Sequence, residues 1–276
     1  PFTRRDVLSE RVFQMKIAVC IKQVPDTEAR LRVGKDGRWI DEEDLPFAIN
    51  ESDEVALEEA LQIAEKQGGE VVVFSLGPER VREALRKALA LGAGRAVHLR
   101  HEAFAGGDAI ATGRALAAAI RREGCDLVLT GSQSDDNGYG ATGTVVAGFL
   151  DWPHAWLVMG VEVEEGGRTL KVTREMESGL SEVFRIALPA VLEVQAGLNH
   201  PRYASLKGIM AAKKKEIAEV GPGDLGLADS EVGLAGSRLE LLSVGFPEAS
   251  AGAQILSGDD AGKQLVSKLK NEARVI

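Results

Sequence analysis

A glycine-rich segment near the middle of the chain constrains its fold more than any other feature of the sequence. The segment runs from Gly131 to Gly143, reads GSQSDDNGYGATG, and lies between two apolar stretches. Residues 126–130 have the short apolar pattern of a buried strand, and residues 144–150 have that of a helix. Converging backbone N–H groups and the positive end of a following helix favour bound anions. The pattern predicts the phosphate-binding loop of a nucleotide site, with a plain strand-to-helix turn as the alternative.

Three glycines of that segment, Gly138, Gly140 and Gly143, match the G-x-G-x-x-G spacing of dinucleotide-binding proteins. In those proteins the glycines directly follow the first strand of the sheet. Here they follow the fourth strand-like stretch. In those proteins an acid about 20 residues after the glycines binds the ribose. Glu162 lies at about that distance, but it stands among alternating acids that are typical of a solvated strand edge. A stand-alone NAD-dependent oxidoreductase is therefore a minor alternative.

Composition narrows the class of protein. With 276 residues, of which 45% are hydrophobic and 27% charged, the chain can bury a large core. The formal net charge of -9 argues against nucleic-acid binding, and no apolar stretch reaches the roughly 18 residues of a membrane span. The two cysteines, Cys20 and Cys125, lie far apart, which indicates neither a disulfide framework nor a zinc motif. This usage favours a reducing compartment, either a bacterial-type cytoplasm or an organelle matrix.

Residues 15–150 alternate short apolar stretches with helical periodicity in the order βαβαβαβα. This order predicts an α/β fold with a doubly wound, mostly parallel, Rossmann-like sheet and helices on both faces. Asp53 is predicted to cap the first helix. Later strand-like stretches are predicted at 157–163, 170–174 and 183–188, as antiparallel additions to the sheet, and at 191–194.

The same pattern divides the chain into three parts. Residues 1–14 lack the apolar core of a secretory signal and are expected to be an extension upstream of the fold. Residues 15–197 form the predicted nucleotide-binding α/β domain. Residues 198–276 form a predicted C-terminal arm, in which turn residues interrupt every periodic stretch before a helix at 259–271. We expect a partner chain to order this arm.

Ligands of doubly wound sheets bind beyond the carboxyl ends of the central strands, where the chain order reverses. This rule brings together residues 22–27, Asn50 to Asp53, Ser75 to Gly77 and the loop that begins at Gly131. No catalytic constellation accompanies them in the sequence. The four histidines lack metal-ligand spacing, and no lysine follows the glycines as in a P-loop. The residues therefore favour a nucleotide-binding protein that is not an enzyme.

Several motifs resemble the beta subunit of electron transfer flavoproteins. The most specific is LNHPRYASL at Leu198–Leu206, and the others are VCIKQV at Val19–Val24, LALGA at Leu89–Ala93, GFLDWP at Gly148–Pro153, IMAAKKK at Ile209–Lys215 and PGDLG at Pro222–Gly226. The similarity runs from Met15 to the C-terminus. It implies a heterodimeric electron carrier whose alpha subunit holds the redox FAD, while this chain holds AMP. Flavoprotein dehydrogenases, such as acyl-CoA dehydrogenases, would donate the electrons and a quinone oxidoreductase would accept them.

The resemblance also implies an AMP site made by the end of the first strand, the start of the first helix, the end of the second strand and the glycine-rich segment. These residues are Cys20 through its backbone, Asn50, Glu51, Ser52, Asp53, Leu76, Gly131, Ser132, Gln133, Ser134, Asp135, Asp136, Asn137, Gly138, Tyr139, Gly140, Ala141 and Thr142. Relatives that bifurcate electrons hold a second FAD in place of AMP, and residues 103–112 resemble those relatives. The glycine-rich segment and Gly148–Pro153 resemble the AMP-binding type, so AMP is expected and a second FAD is the alternative.

Two further segments are implied to contact partner proteins. The segment with Tyr203 and Leu206 resembles a loop that docks dehydrogenases through a leucine, whereas the pattern alone favours a buried tail leucine. The stretch VTREMESG, with Arg174 and Glu175, resembles a family signature whose glutamate pairs with an arginine of the flavin domain. Ser178 departs from that signature, which prefers glycine or an acid there.

Overall fold

A computed structural model describes residues 14–247 and 252–276. The predicted upstream extension, residues 1–14, lies outside the described residues except for Gln14. The described strands are β1 (Met15–Cys20), β2 (Gln23–Pro25), β3 (Phe47–Ile49), β4 (Gly69–Leu76), β5 (Arg95–Leu99), β6 (Leu127–Gly131), β7 (His154–Val163), β8 (Thr169–Glu175), β9 (Ser181–Ala187), β10 (Ala190–Val194) and β11 (Ile217–Val220). The helices are α1 (Glu51–Gln67), α2 (Val81–Leu91), α3 (Ala109–Glu123), α4 (Thr142–Leu150), α5 (Leu206–Ala212), α6 (Gly233–Gly236) and α7 (Ala261–Lys268).

Nine strands form one sheet in the order β11-β5-β4-β1-β6-β10-β7-β8-β9. The seven strands from β11 to β7 are parallel to their neighbours, and β8 and β9 continue the sheet in antiparallel fashion. The predicted doubly wound, mostly parallel α/β fold is therefore confirmed. One detail is wrong, because β7 was predicted as an antiparallel addition and runs parallel to β10.

The sheet is covered on both faces, as the strand pattern requires. On β1, Ile17 and Val19 pack with the apolar side chains of α1 and α2, while Ala18 points to the opposite face and packs with α3 and α4. These strands are buried on both sides, which is why they read as continuous apolar stretches. No helix within residues 14–247 and 252–276 is long and apolar enough to cross a membrane.

The centre of the sheet contains the point at which the chain order reverses. β1 pairs with β4 on one side and with β6 on the other, so the chain leaves β1 in both directions across the sheet. A separate two-stranded sheet, formed by β2 and β3, follows directly after β1 and encloses residues 26–46. The sequence pattern did not predict this small sheet, because each of its strands has only three residues.

The C-terminal arm packs on the sheet more than the sequence predicts. α5 lies against α2 so closely that a Cβ added to Gly208 would lie 2.3 Å from the carbonyl oxygen of Ala90. β11 then pairs with β5 and extends the sheet at its edge. The expectation of an irregular arm is wrong for residues 206–220, which contain α5 and β11. The helix expected at 259–271 is confirmed by α7 and the π-helical turn that follows it. That a partner chain orders the arm stays a prediction. The domain division at residue 197 stays a prediction.

Candidate functional site

The glycine-rich loop, residues 131–141, is held by the first residues of α1. The Asn50 side chain donates through Nδ2 to the carbonyl oxygen of Gln133 (2.9 Å) and accepts through Oδ1 from the N–H of Asp135 (2.9 Å). The Ser52 hydroxyl donates to the same Gln133 oxygen at 2.9 Å. Both side chains are buried. The start of α1 therefore determines the path of the loop.

Asp53 joins the ends of two central strands instead of capping α1. Its carboxylate accepts the N–H of Lys22 at 2.7 Å and the N–H of Gly131 at 2.8 Å, so it links the residues after β1 to the end of β6. The predicted cap is wrong, because α1 already begins after Asn50 and Asp53 lies in its first turn. Burial raises the pKa of Asp53 to about 7, although the two backbone N–H groups act in the opposite direction.

The end of β6 meets α1 without space for a side chain. A Cβ added to Gly131 would lie 2.2 Å from Ser52 Oγ and 2.4 Å from Asp53 Oδ1. Further along the loop, Gly138 and Gly140 have φ angles of 64° and 57°, which side chains rarely adopt. Glycine is thus required at Gly131 by close approach and at the other two positions by backbone conformation.

Lys22 brings a cation to the loop that the sequence analysis missed. Its Nζ lies 2.6 Å from Asp136 Oδ1 and 3.4 Å from Ser134 Oγ. Burial raises the pKa of Asp136, but hydrogen bonds from Lys22 and Ser134 outweigh it and hold that pKa below its ordinary value. Lys22 follows β1 and is not part of the glycine motif. Only the predicted convergence of residues 22–27 with the glycine-rich loop could have indicated this contact.

A second group of polar side chains holds the start of α4. Glu193 of β10 is 1% exposed, and its Oε1 accepts the Thr144 hydroxyl at 2.7 Å and lies 2.6 Å from His154 Nε2. A Cβ added to Gly143 would lie 2.4 Å from Cγ of the same glutamate. The sequence analysis missed this group. An acid inside the otherwise apolar strand AVLEV was the available signal, since buried acids are normally paired.

The remaining predicted nucleotide-site residues lie at the same edge of the sheet. Cys20 ends β1 next to Thr130 of β6, and burial raises the pKa of its thiol. Leu76 ends β4, which is the other neighbour of β1. The other predicted positions are spread over the loop and its flanks, and are Glu51, Ser132, Asn137, Tyr139, Ala141 and Thr142. The structure thus brings the four predicted segments together, and what they bind stays a prediction. Among the described residues, no cluster of His, Cys, Asp and Glu has the arrangement of a metal site.

The 199–206 segment displays apolar side chains on the surface. Tyr203 is 99% exposed and Leu206 is 83% exposed, so the interpretation of Leu206 as a buried tail leucine is wrong for this chain. At the antiparallel edge of the sheet, Arg174 pairs with Glu182 at 2.6 Å. Glu175 is exposed at the end of β8, and its side chain forms no ion pair with the described residues. Ser178 has a φ of 61°, which is consistent with a preference for glycine at that position.

The sheet and its central crevice define a doubly wound α/β protein with a glycine-rich loop at the point where the strand order reverses. Comparison with known proteins narrows this class. A family model described as the electron transfer flavoprotein domain matches residues 38–225. The electron transfer flavoprotein subunit beta of Methylophilus methylotrophus is 42% identical over 243 residues, which cover 87% of this chain and 92% of that relative.

Two other relatives are similar in sequence along almost the whole chain. The subunit beta of Mycobacterium leprae is 41% identical, with 92% of this chain and 97% of that relative covered. The human subunit beta is 39% identical, with 95% and 99% covered. The chain therefore belongs to the electron transfer flavoprotein beta-subunit family, which confirms the resemblance found in its motifs.

Proposed function

We propose that the chain is the beta subunit of a heterodimeric electron transfer flavoprotein. In this proposal an alpha subunit holds most of the FAD, and electrons pass from flavoprotein dehydrogenases, such as acyl-CoA dehydrogenases, through that FAD to a quinone oxidoreductase. The chain itself carries electrons as part of the heterodimer and is not an enzyme. Membership of the family is the single observation that carries the proposal.

The donor set of the crevice fits AMP as a bound structural group. The first N–H groups of α4 have no intrahelical partner, and they follow a loop whose path is held by Asn50 and Ser52. Such N–H groups favour a phosphate, and the partial charge of the helix adds to the attraction. Lys22 brings a cation to this loop through its contacts with Ser134 and Asp136. When bound, AMP would add no redox chemistry and would hold the loop against the central strands.

The alternative, a second FAD in this crevice, belongs to electron-bifurcating relatives. The segment that resembles those relatives forms a short helical turn at Glu102–Phe104 and the start of α3, where Asp108 caps the helix. The turn, through Phe104, and α3 pack on the face of the sheet opposite to α1. AMP therefore remains the proposed ligand, since α1 holds the glycine-rich loop.

The exposed 199–206 segment is the proposed dehydrogenase-docking surface. A carrier that serves several dehydrogenases needs a small interface that exchanges quickly, and one apolar side chain in a partner pocket contributes roughly 1.5 to 3 kcal/mol. Leu206 and Tyr203 have the required exposure. Glu175 is the proposed partner of the flavin domain, because its neighbour Arg174 is already paired with Glu182.

The proposed function is tested with the purified heterodimer and an acyl-CoA dehydrogenase. We expect the flavin absorbance of the heterodimer to bleach when the dehydrogenase is reduced by its substrate. A chain that turns over a substrate alone with added NAD, and leaves a partner flavin oxidised, would instead support the dehydrogenase alternative.

A further inference from the structure

Arg202 lies at the point where the 199–206 segment crosses α1. Its guanidinium donates through Nε to Glu58 at 2.8 Å and through Nη2 to both Glu58 and Glu65 at 3.1 Å, and Nη1 also pairs with Glu65. Its own backbone N–H donates to Glu58 at 3.2 Å. The planar guanidinium thus spans two carboxylates one above the other on α1, an arrangement that a lysine cannot reproduce.

A second contact to α1 precedes the arginine. Asn199 donates through Nδ2 to the carbonyl oxygen of Val55 and to Glu59 Oε2, both at 3.1 Å. Burial raises the pKa of Glu58, but hydrogen bonds from Arg202 and Gln62 outweigh it and hold that pKa below its ordinary value. The carboxylate that receives the guanidinium is therefore kept in its charged form.

The chain that follows the exposed Leu206 is also held in place. Ser205 caps α5 by accepting the N–H of Gly208 at 3.0 Å, and Gly208 lies directly on the backbone of α2. Arg86 of α2 donates to the carbonyl oxygen of Lys215 at 2.6 Å, just beyond the end of the helix. Leu206 thus lies between two anchored points, four residues after Arg202 and two before Gly208.

We propose that Arg202 is a positioning residue that holds the backbone on which Tyr203 and Leu206 are presented to the dehydrogenase. This inference rests on the proposed function of the 199–206 segment. An apolar side chain on a surface binds a partner more tightly when its backbone is already ordered, because the partner then does not have to order it. Arg202 itself makes its contacts with α1, and it acts on the partner through Leu206.

A double-mutant cycle in the heterodimer tests the inference. The readouts are the KM for the heterodimer in the dehydrogenase-coupled assay, the kcat, and the thermal midpoint. We expect Arg202→Gln to raise KM about three- to tenfold with little change in kcat, in line with the ordering of one or two side chains. In the Leu206→Ala background, the same change should raise KM by a clearly smaller factor, because only Tyr203 remains of the two side chains that Arg202 positions.

Arg82→Gln is the matched control. Arg82 is as exposed as Arg202 and fastens the same arm through Glu219 of β11, but it does not hold the 199–206 segment. It should leave KM unchanged. Glu65→Gln keeps the Glu58 half of the contact and should raise KM in the same direction by a smaller factor, so the test stands even where the Arg202→Gln heterodimer fails to assemble.

The outcomes separate this inference from the proposed function. If Leu206→Ala alone leaves KM unchanged, the docking surface is wrong and the positioning role falls with it. If Leu206→Ala raises KM while Arg202→Gln and Glu65→Gln do not, docking stands and Arg202 has no positioning role. Equal KM increases from Arg202→Gln with and without Leu206 would show that the arginine acts independently, which also overturns the inference.

Discussion

The glycine-rich loop and the 199–206 segment are both held by α1, but by different chemistry. The loop is held at the first turn by buried Asn50, Ser52 and Asp53, through hydrogen bonds to backbone atoms. The 199–206 segment is held further along the helix by a guanidinium and two carboxylates, one of which is exposed. One helix therefore organises both an internal crevice and an external apolar surface.

The difference indicates how each region tolerates change. Around the loop, polar atoms are buried and close to backbone, so a lost contact leaves an unpaired group that costs free energy of unfolding. On the 199–206 segment the apolar side chains face water, so their removal costs little stability. We expect substitutions near the loop to reduce stability and nucleotide retention together, and substitutions of the exposed apolar side chains of the segment to affect only partner binding.

The largest expected effect is that of Gly131→Ala. The added Cβ would overlap Ser52 Oγ and Asp53 Oδ1, and the backbone of β6 and α1 cannot separate without breaking the Asp53 link. We expect a loss of about 3 kcal/mol in the free energy of unfolding, measured by urea denaturation of the heterodimer. Gly148→Ala is the control, because nothing lies within 4 Å of its added Cβ and it lies inside α4. It should change stability by about 1 kcal/mol or less, with a gain favoured.

Glu193→Ala should have the next largest effect. The change removes a buried carboxylate that accepts the hydroxyl of the exposed residue Thr144 and contacts Nε2 of the partly exposed His154. A loss of about 2 to 3 kcal/mol in the free energy of unfolding follows, and Glu193→Gln should lose less because it keeps an acceptor oxygen. If the two variants are equally stable to urea, the hydrogen bonds at the start of α4 do not contribute as described.

Leu206→Ala tests the other side of the comparison. Removing one side chain from a partner pocket should weaken docking by roughly 1.5 to 3 kcal/mol, which is about a 10- to 150-fold increase in KM for the heterodimer. The thermal midpoint and AMP content should stay near those of the unmodified protein, because the side chain is 83% exposed. A destabilised heterodimer with an unchanged KM would remove Leu206 from the interface.

Lys22→Gln should show the smallest of these effects, a slight loss of stability. The lysine is partly exposed, so its pair with Asp136 contributes under about 1 kcal/mol. Because the folded-state pKa of Asp136 is lowered, this stabilisation is present above the ordinary pKa of an aspartate and is lost as pH falls through the lowered value. The stability difference between the two proteins, measured by urea at about pH 7 and at about pH 3, should therefore shrink in acid. A difference that grows in acid would contradict this pairing.

The sequence was sufficient to predict the parallel sheet and the convergence of the four loop segments. The sheet follows from the apolar periodicity of long segments. The convergence follows from the rule that ligands lie beside the central strand. It was not sufficient for β2, β3 and β11, because strands of three or four residues carry too few periods to be recognised. Their pairing depends on neighbours that are distant in sequence.

Individual side-chain contacts were harder to predict than segments. Asp53 has the sequence context of a helix cap, but α1 already begins after Asn50, and the Asp53 carboxylate links the residues after β1 to the end of β6. Lys22 reaches Asp136 over 114 residues of sequence separation, and the Glu193 group joins three elements. Such contacts follow from how the elements pack and not from local pattern.

The nucleotide content of the purified heterodimer tests the account most directly. The protein is denatured, and the released nucleotides are identified by mass and counted against the protein. The account predicts one AMP and one FAD per heterodimer, with AMP reduced in Gly131→Ala and retained in Leu206→Ala. Two FAD and no AMP would place a second flavin in the crevice, and a heterodimer without any nucleotide besides the single FAD would contradict the proposed role of the glycine-rich loop.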